Sequence, residues 1–254
     1  MHEIPRQVLK PLSGPFGIDL SITNEVVLVW ISALITFVLL AFACRRRNPV
    51  AEGWLQNLFE GLVEMLEKQV IRETVGPEGR IWTPFILTLF FFILFSNMLG
   101  LVPVPSHFKP ATSNINVTMA LALTVFAVTI GISLRRHGLS GFMKKFIPEN
   151  TPWWIMPLLI PIEILTWLAK PVSLAIRLCA NMMAGHAVIS LFMGMAVTAG
   201  IFLKPIPLAG GILMTAFELF ICFIQAAIFT MLSGFYIGEA LADPHAGPES
   251  PPLT

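Results

Sequence analysis

One arginine lies in the middle of an otherwise apolar stretch of the sequence. Arg177 stands within residues 170–186, which read KPVSLAIRLCANMMAGH. A guanidinium keeps its charge under all ordinary conditions. Placing it at the centre of a membrane helix costs about 2.5 to 3.5 kcal/mol, so the charge needs a counter-ion, a hydrated cavity or a function. Arg177 is therefore the first candidate for a functional residue.

Polar residues recur at helical spacing on both sides of this arginine and again further along the chain. Glu163, Lys170 and Arg177 are seven residues apart each time, so they share one helix face with a drift of only about 20° per step. Neighbouring positions of that helix add Thr166, Ser173 and Asn181. A second stretch carries its own polar face, formed by Glu218, Gln225 and Tyr236. The pattern predicts two helices that each carry a polar stripe.

Folding the two stretches as a hairpin about residue 203 brings their polar residues to matching levels. Asn181 then faces Gln225, His186 faces Glu218, and Arg177 lies one turn from Gln225, with no acidic residue of the chain at its own level. His186 and Glu218 could form a buried hydrogen-bonded pair or a proton relay. The two amides could join the helices or orient the arginine.

Membrane helices must position these residues. The chain of 254 residues is 56% hydrophobic and 12% charged, whereas soluble domains are about 25% charged. Three apolar runs have ordinary spanning length, at 26–44, 81–101 and 117–134. Two runs, 153–203 and 205–238, are longer, since about 50 helical residues would measure about 75 Å. These two are expected to be broken or strongly tilted, and Lys204 to Pro207 is the turn signal between them. The sequence predicts an all-α membrane protein with about five transmembrane helices.

The remaining segments predict topology and a surface helix. Residues 52–72 have the pattern of an amphipathic helix on the membrane surface or against a partner. Ten Lys and Arg residues fall in the loops after the first and third runs and four on the other side, which predicts an outer N-terminus and a cytoplasmic C-terminus. Residues 1–254 are expected to form one membrane domain, with an outer N-terminal segment at 1–25 and a short disordered inner tail at 241–254.

Four segments resemble subunit a of the bacterial F-type ATP synthase. They are PVSLAIRLCANMMAGH at 171–186, ELFICFIQAAIF at 218–229, FSNMLGLVP at 95–103 and NVTMALAL at 116–123. The resemblance implies a stator subunit of the bacterial inner membrane, with no active site of its own and no cofactor or metal. It implies that the last two helices are long, tilted and packed beside a ring of c subunits. Two offset half-channels would carry protons to and from the ring's carboxylates and so couple proton flow to rotation and ATP synthesis.

The resemblance also implies roles for individual residues. Arg177 matches the essential arginine that faces the rotor carboxylate, and Gln225 and Asn181 match its neighbours. Outer half-channel roles go to His186, Glu218 and Asn116, and inner half-channel roles go to Glu163, Thr166, Ser173 and Tyr236. Asn114 stands where some relatives carry an acid, and its amide counts against a titratable role there.

The implied partners are the c-subunit ring, subunit b of the peripheral stalk, the remainder of the F1Fo complex and the lipid bilayer, without nucleic acid. The alternative is a stand-alone ion-coupled secondary transporter, against which the lack of an evident internal repeat counts. An intramembrane enzyme or redox subunit is weakly supported, because His186 is the only histidine deep in an apolar segment.

Overall fold

The computed structural model describes residues 8–10, 22–45, 54–75, 81–101, 110–144 and 152–242. The elements in these ranges are β1 (Val8–Lys10), β2 (Ile22–Thr23), α1 (Asn24–Arg45), α2 (Trp54–Leu66), a π-helix (Glu67–Val75), α3 (Thr83–Leu101), a 3-10 helix (Ala111–Ser113), α4 (Ile115–Lys144), α5 (Met156–Thr198) and α6 (Pro205–Leu241). The predicted all-α membrane fold is confirmed. Within the N-terminal segment 1–25, β1 and β2 pair antiparallel, a small sheet that the sequence analysis did not predict. The inner tail predicted at 241–254 lies outside the described residues beyond Ala242.

Four of the described helices are long and apolar enough to cross a membrane: α3, α4, α5 and α6. A fifth apolar run, Glu25–Ala41, lies within α1. The 22 residues of α1 rise about 33 Å, close to the roughly 30 Å thickness of the hydrocarbon core. The predicted count of about five membrane helices therefore agrees with the structure.

The last two helices are long and unbroken. α5 has 43 residues and α6 has 37, which correspond to about 65 Å and about 56 Å. Breaks at the prolines were one of the two predicted outcomes, but Pro161 and Pro171 both lie inside α5. Each proline removes only one hydrogen bond of the helix ladder, and neither ends the helix. Both apolar stretches are much longer than an upright membrane span requires, and each forms one continuous helix.

The hairpin register follows from contacts between α5 and α6. Gly185 lies against Glu218, so closely that a methyl group on Gly185 would overlap the carboxylate. Nearer the other end, Lys170 contacts Glu239. Interpolation between these two contacts places Arg177 level with about Phe229.

The core forms where α6 packs against α3, α5 and the π-helix. Phe90 of α3 is fully buried, and its ring meets that of Phe223 on α6 edge to face with the centroids 5.8 Å apart. Leu178 of α5 and Phe229 of α6 are also fully buried. Such edge-to-face aromatic packing favours one relative orientation of two helices. The core therefore fixes α6 against its neighbours on one side and leaves its other face exposed.

The third predicted span is longer than the sequence analysis proposed. The prediction ended it at residue 134, before two arginines, but α4 continues to Lys144. Arginine is a good helix former, and both Arg135 and Arg136 lie inside the helix. The backbone departs from helical geometry at Gly138, where φ is 66° and ψ is 178°. Glycine tolerates this left-handed φ, and it separates the membrane span from a short terminal segment.

The amphipathic segment predicted at 52–72 folds back onto its own chain. Leu66, Val70 and Val75 are buried, and the π-helix packs along α6. The opposite face is charged and exposed, and Lys68 donates to Glu64 at 2.5 Å one turn away. This ammonium group holds the pKa of Glu64 below its ordinary value. The apolar face is therefore covered by α6, which corrects the expectation of a membrane surface or partner contact for that part of the segment.

The π-helix contact depends on glycine. A methyl group at Gly238 of α6 would overlap the backbone carbonyl of Thr74. We expect Gly238→Ala to destabilise the protein by about 1 to 3 kcal/mol, as overpacking of close contacts does. The measurement is the thermal unfolding midpoint of the purified protein in detergent. Gly131→Ala is the matched control, because nothing lies within 4 Å of that position. Equal midpoints for the two variants would contradict the contact.

Candidate functional site

Arg177 lies at the midpoint of α5 and is exposed. It is 21 residues from Met156 and 21 from Thr198, and its side chain belongs to the exposed class. Large apolar side chains around it are exposed as well, including Ile176 at 51% and Met183 at 59%. In the part of the chain that the structure describes, Arg177 has neither an ion pair nor a hydrogen bond. A permanent charge thus faces outward from the middle of an apolar helix surface.

α6 extends this apolar surface. Its exposed large side chains include Phe217, Phe220, Ile224 and Met231. Extended apolar patches of this kind are covered by lipid or by another protein. Lipid covers the apolar side chains readily, but it does not compensate the guanidinium of Arg177.

The polar stripe predicted on α5 divides between two environments. Thr166 and Ser173 are exposed like Arg177, and the Thr166 hydroxyl donates to the Ile162 carbonyl of its own helix at 2.9 Å. Glu163 and Lys170 are half-buried and line a cavity toward α4 and α6. The residues spaced seven apart therefore share one face of α5, but Glu163 and Lys170 are half-buried whereas Arg177 is exposed.

Glu218 is buried beside Gly185 with only 1% of its surface exposed. Neither of its carboxylate oxygens has a hydrogen-bond partner among the described residues, and the same holds for Nε2 of His186. The interpretation as a directly hydrogen-bonded His186–Glu218 pair is therefore wrong. A buried polar group without a partner costs about 1 to 3 kcal/mol, so this arrangement is maintained against a penalty. Such intramembrane groups mark ion pathways more often than structural contacts.

No hydrogen bond joins the two amides near Arg177 in the described part of the chain. Gln225 is 5% exposed and its Nε2 has no hydrogen-bond partner in the described chain. Asn181 is half-buried, and no hydrogen bond joins it to Gln225 or to Arg177 in this structure. The hairpin register places Gln225 about one turn from the level of Arg177. The two amides lie close to the level of the guanidinium, but neither forms a hydrogen bond with it.

Further unpartnered polar side chains lie on elements that contact the hairpin. Ser96 and Asn97 are buried on α3, which packs on α6, and Thr112 is buried on the 3-10 helix, which packs on α5. The 3-10 helix is tied to α5 because the Cys179 thiol donates to the Ser113 carbonyl at 3.2 Å. Ser96, Asn97 and Thr112 are not among the residues predicted from the sequence. For the first two, the signal was a pair of polar residues inside a spanning run.

The start of α4 contains a carboxylate that the sequence analysis missed. The Asn114 side-chain oxygen accepts the backbone N–H of Asn116 at 2.9 Å, which is an N-cap interaction. The Asn114 amide donates to the carboxylate of Glu25 on α1. The carboxylate of Glu25 therefore lies beside Asn114, although position 114 itself carries only an amide. The side chain of Asn116 is exposed. No local pattern links two residues 89 positions apart.

A cavity of about 50 Å³ lies between α4, α5 and α6. It contains two of the residues assigned to the inner half-channel, Glu163 and Tyr236. Thr166 and Ser173, assigned to the same path, are absent from its lining because they point to the exposed face. Thr129, Ser133 and Glu239 line the cavity although the sequence analysis did not select them. Glu239 could have been found from its position three residues after Tyr236, which puts both on one helix face.

These features define a multi-pass helical membrane protein with ionisable groups within its spans, an arrangement typical of ion-translocating proteins. Residues 26–238 match the protein family described as ATP synthase A chain, and the chain belongs to this family. Membership makes it a multi-pass bacterial membrane protein and a non-catalytic, proton-translocating subunit of the ATP synthase membrane sector. The family suggested by the four sequence segments is confirmed.

Three bacterial relatives support the assignment over nearly the whole chain. The chain is 40% identical over 243 residues to ATP synthase subunit a of Magnetococcus marinus, covering 95% of this chain and 92% of the relative. It is 39% identical over 235 residues to ATP synthase subunit a of Acidiphilium cryptum, with coverages of 90% and 91%. ATP synthase subunit a 2 of Chlorobium luteolum is 39% identical over 248 residues, with coverages of 95% and 71%.

Proposed function

We propose that this chain is the stator channel through which protons reach and leave the carboxylates of a rotating c-subunit ring. The observation that carries the proposal is Arg177, a permanent cation exposed at the centre of a long apolar helix without an ion pair in the described chain. No described residue supplies its counter-ion, and we assign that counter-ion to another molecule. A rotor carboxylate that passes the exposed face of α5 meets this requirement.

The charge of Arg177 sets the order in which a rotor carboxylate releases its proton and passes the hairpin. A guanidinium close to a carboxylate favours the ionised form, so each rotor site releases its proton before it reaches Arg177. The same fixed positive charge repels a proton that would cross directly from one side of the hairpin to the other. Proton flow is then possible only when the ring turns, which couples translocation to rotation and to ATP synthesis.

The outer half-channel follows the buried polar groups on the turn side of Arg177. Glu218 and His186 carry titratable groups without protein partners in the described chain, which supports proton transfer through this part of the hairpin. Ser96, Asn97 and Gln225 extend the polar lining on α3 and α6. Asn116 belongs to the outer half-channel by family resemblance, and Glu25 adds a carboxylate beside its neighbour Asn114.

The inner half-channel begins in the cavity between α4, α5 and α6. Glu163 and Tyr236 line it and supply a carboxyl and a hydroxyl group, and Thr129 and Ser133 add two hydroxyls from α4. Thr166 and Ser173 lie instead on the exposed face near Arg177. We assign them to the surface between this path and the rotor.

The orientation and the stator contacts complete the proposal. The N-terminus lies on the outer side of the bacterial inner membrane and the C-terminus on its cytoplasmic side, as the distribution of Lys and Arg predicts. The charged outer face of α2 and the π-helix, which includes Glu60, Glu64, Lys68 and Arg72, is offered to subunit b of the peripheral stalk. The proposed contacts with the c-subunit ring and with subunit b require no cofactor.

Cysteine crosslinking tests the rotor contact. Ala184 is exposed on α5 seven residues after Arg177 and shares its face. We expect Ala184→Cys to form a disulfide with a cysteine placed next to the c-subunit carboxylate in the whole complex, measured by non-reducing gel electrophoresis. Ala33→Cys is the matched control, because Ala33 is equally small and exposed on α1.

Two outcomes would overturn the proposed function. Crosslinks absent from Ala184 and the rest of the Arg177 face would remove its basis, as would equally strong crosslinks from Ala33. The alternative, a stand-alone secondary transporter, instead requires that the purified chain alone move a solute in vesicles.

A further inference from the structure

The cavity between α4, α5 and α6 is lined by aromatic and polar side chains. Trp167 of α5 packs against Phe126 and Phe142 of α4, whose ring centroids lie 4.3 and 5.5 Å from its own. An ordered water needs two to four polar partners and about 10 to 15 Å³ of space, and the cavity of about 50 Å³ has this space. The lining residues that carry polar groups are Thr129, Ser133, Glu163, Lys170, Tyr236 and Glu239.

Ser133 differs from the other hydroxyl that α4 contributes to this lining. It is 3% exposed, and its Oγ has no hydrogen-bond partner among the described residues. Thr129 lies one turn earlier on the same helix, but its hydroxyl donates to the Val125 carbonyl at 2.9 Å. Buried hydroxyls normally have a partner, because an unpaired one costs free energy. The cavity that Ser133 lines is the space in which its partner can lie.

The register of α4 and α6 places Tyr236 at the level of Ser133. Nε2 of His137 lies 3.2 Å from the carbonyl oxygen of Ala240, so these two residues share one level. α4 and α6 each run antiparallel to α5 and therefore run parallel to each other. One turn before the contact, four residues back on each helix, stand Ser133 and Tyr236. Both line the cavity, so their side chains border the same space.

We propose that Ser133 is a positioning residue that holds a water molecule in this cavity together with Tyr236, and that protons leave for the inner side through this water. The inference rests on the proposed function, which begins the inner half-channel in the cavity. The water accepts one proton and donates another, so it is regenerated at every transfer. In ATP-driven pumping the same transfers run in reverse. Ser133 orients the water and keeps its own proton.

Deleting the hydroxyl separates this role from a structural one. We expect Ser133→Ala to lower ATP-driven proton pumping by the complete ATP synthase in inverted vesicles about fivefold, the factor that corresponds to one hydrogen bond of ordinary strength. The temperature at which the purified complex loses subunit a should not fall, because alanine leaves no buried side-chain polar group unpaired. Rates are normalised to assembled subunit a by immunoblot.

Two results for Ser133→Ala would overturn the inference. The first is full pumping, which would show that the hydroxyl takes no part in translocation. The second is a loss of pumping that comes with a lower dissociation temperature or with failed assembly, since the serine would then act on packing.

Thr129→Val is the matched control. It deletes a hydroxyl with little change of shape from the lining of the same cavity, one turn from Ser133. That hydroxyl is already paired within its own helix, so pumping should match that of the unmodified complex. A loss as large as that of Ser133→Ala would contradict the specific role of Ser133.

A shared water also predicts how Ser133 and Tyr236 combine. Tyr236→Phe deletes the phenol hydroxyl, and the double variant with Ser133→Ala should pump within about twofold of the slower single variant, because both changes remove the same water. Independent contributions would instead multiply the two losses. Multiplied losses would overturn the shared site.

The crosslinking experiment distinguishes the two proposals. If Ala184→Cys crosslinks to the c subunit but Ser133→Ala pumps at the full rate, only the role of Ser133 fails. If the whole Arg177 face gives no crosslink, the proposed function itself fails.

Discussion

Arg177→Gln is expected to lower ATP-driven proton pumping by the assembled complex at least about a hundredfold, the loss typical of removing a preorganised charge-stabilising group. Glutamine retains a polar side chain but not the charge. The rotor carboxylate then keeps its proton as it passes α5, and the hairpin no longer repels protons that cross without rotation. Pumping is measured in inverted vesicles by quenching of a pH-sensitive dye during ATP hydrolysis.

Met183→Gln is the control for this substitution. It introduces the same amide at an exposed position of the same helix, where methionine is 59% exposed, and it leaves the cation in place. Its pumping should remain within about twofold of the unmodified complex, as is usual for surface substitutions. Full pumping by Arg177→Gln would show that the exposed guanidinium is not part of the translocation path.

The importance of Arg177 could be predicted because it follows from an energy that the sequence alone supplies. A permanent charge in a spanning segment is costly wherever the helix lies. Its level relative to α6 was also predictable, since a tight turn near residue 203 and a fixed rise per residue set the register. The contacts of Gly185 with Glu218 and of Lys170 with Glu239 give a register in which Arg177 lies about one turn from Gln225, as the sequence predicts.

The direction in which each polar residue points could not be predicted in the same way. Helical spacing places Glu163, Thr166, Lys170 and Ser173 on neighbouring parts of one surface, but it does not say which part another helix covers. α4 and α6 cover Glu163 and Lys170, whereas Thr166 and Ser173 remain exposed. Burial is decided by tertiary packing, which periodicity does not contain.

Contacts between distant segments were missed for a related reason. The hydrogen bond from Asn114 to Glu25 depends on how α1 lies against the start of α4, and the ion pair of Lys170 with Glu239 depends on the far end of the hairpin. The pairing of β1 with β2 and the change from α2 to a π-helix are local, but neither has a marked signal in residue type. The two contacts between distant segments appear only once the helices are packed.

Gly185 gives the second large effect, because its lack of a side chain makes room for Glu218. A methyl group there would overlap the buried carboxylate, and a packed core does not absorb such an overlap without displacement. We expect Gly185→Ala to lower proton pumping about tenfold, equivalent to an overpacking cost of about 1.4 kcal/mol at the relay. The measurement is pumping per assembled complex, as for Arg177→Gln.

The cause can be separated from a general packing defect by shortening the carboxylate. Glu218→Asp removes one methylene, so Gly185→Ala combined with Glu218→Asp should pump better than Gly185→Ala alone. Gly194→Ala adds the same methyl group two and a half turns further along α5, where nothing lies within 4 Å, and should have no effect. If Gly194→Ala were equally harmful, or if Glu218→Asp gave no relief, the loss would come from the helix as a whole. Relief confined to the pair would locate the cause of the loss in the space that Gly185 leaves for the Glu218 carboxylate.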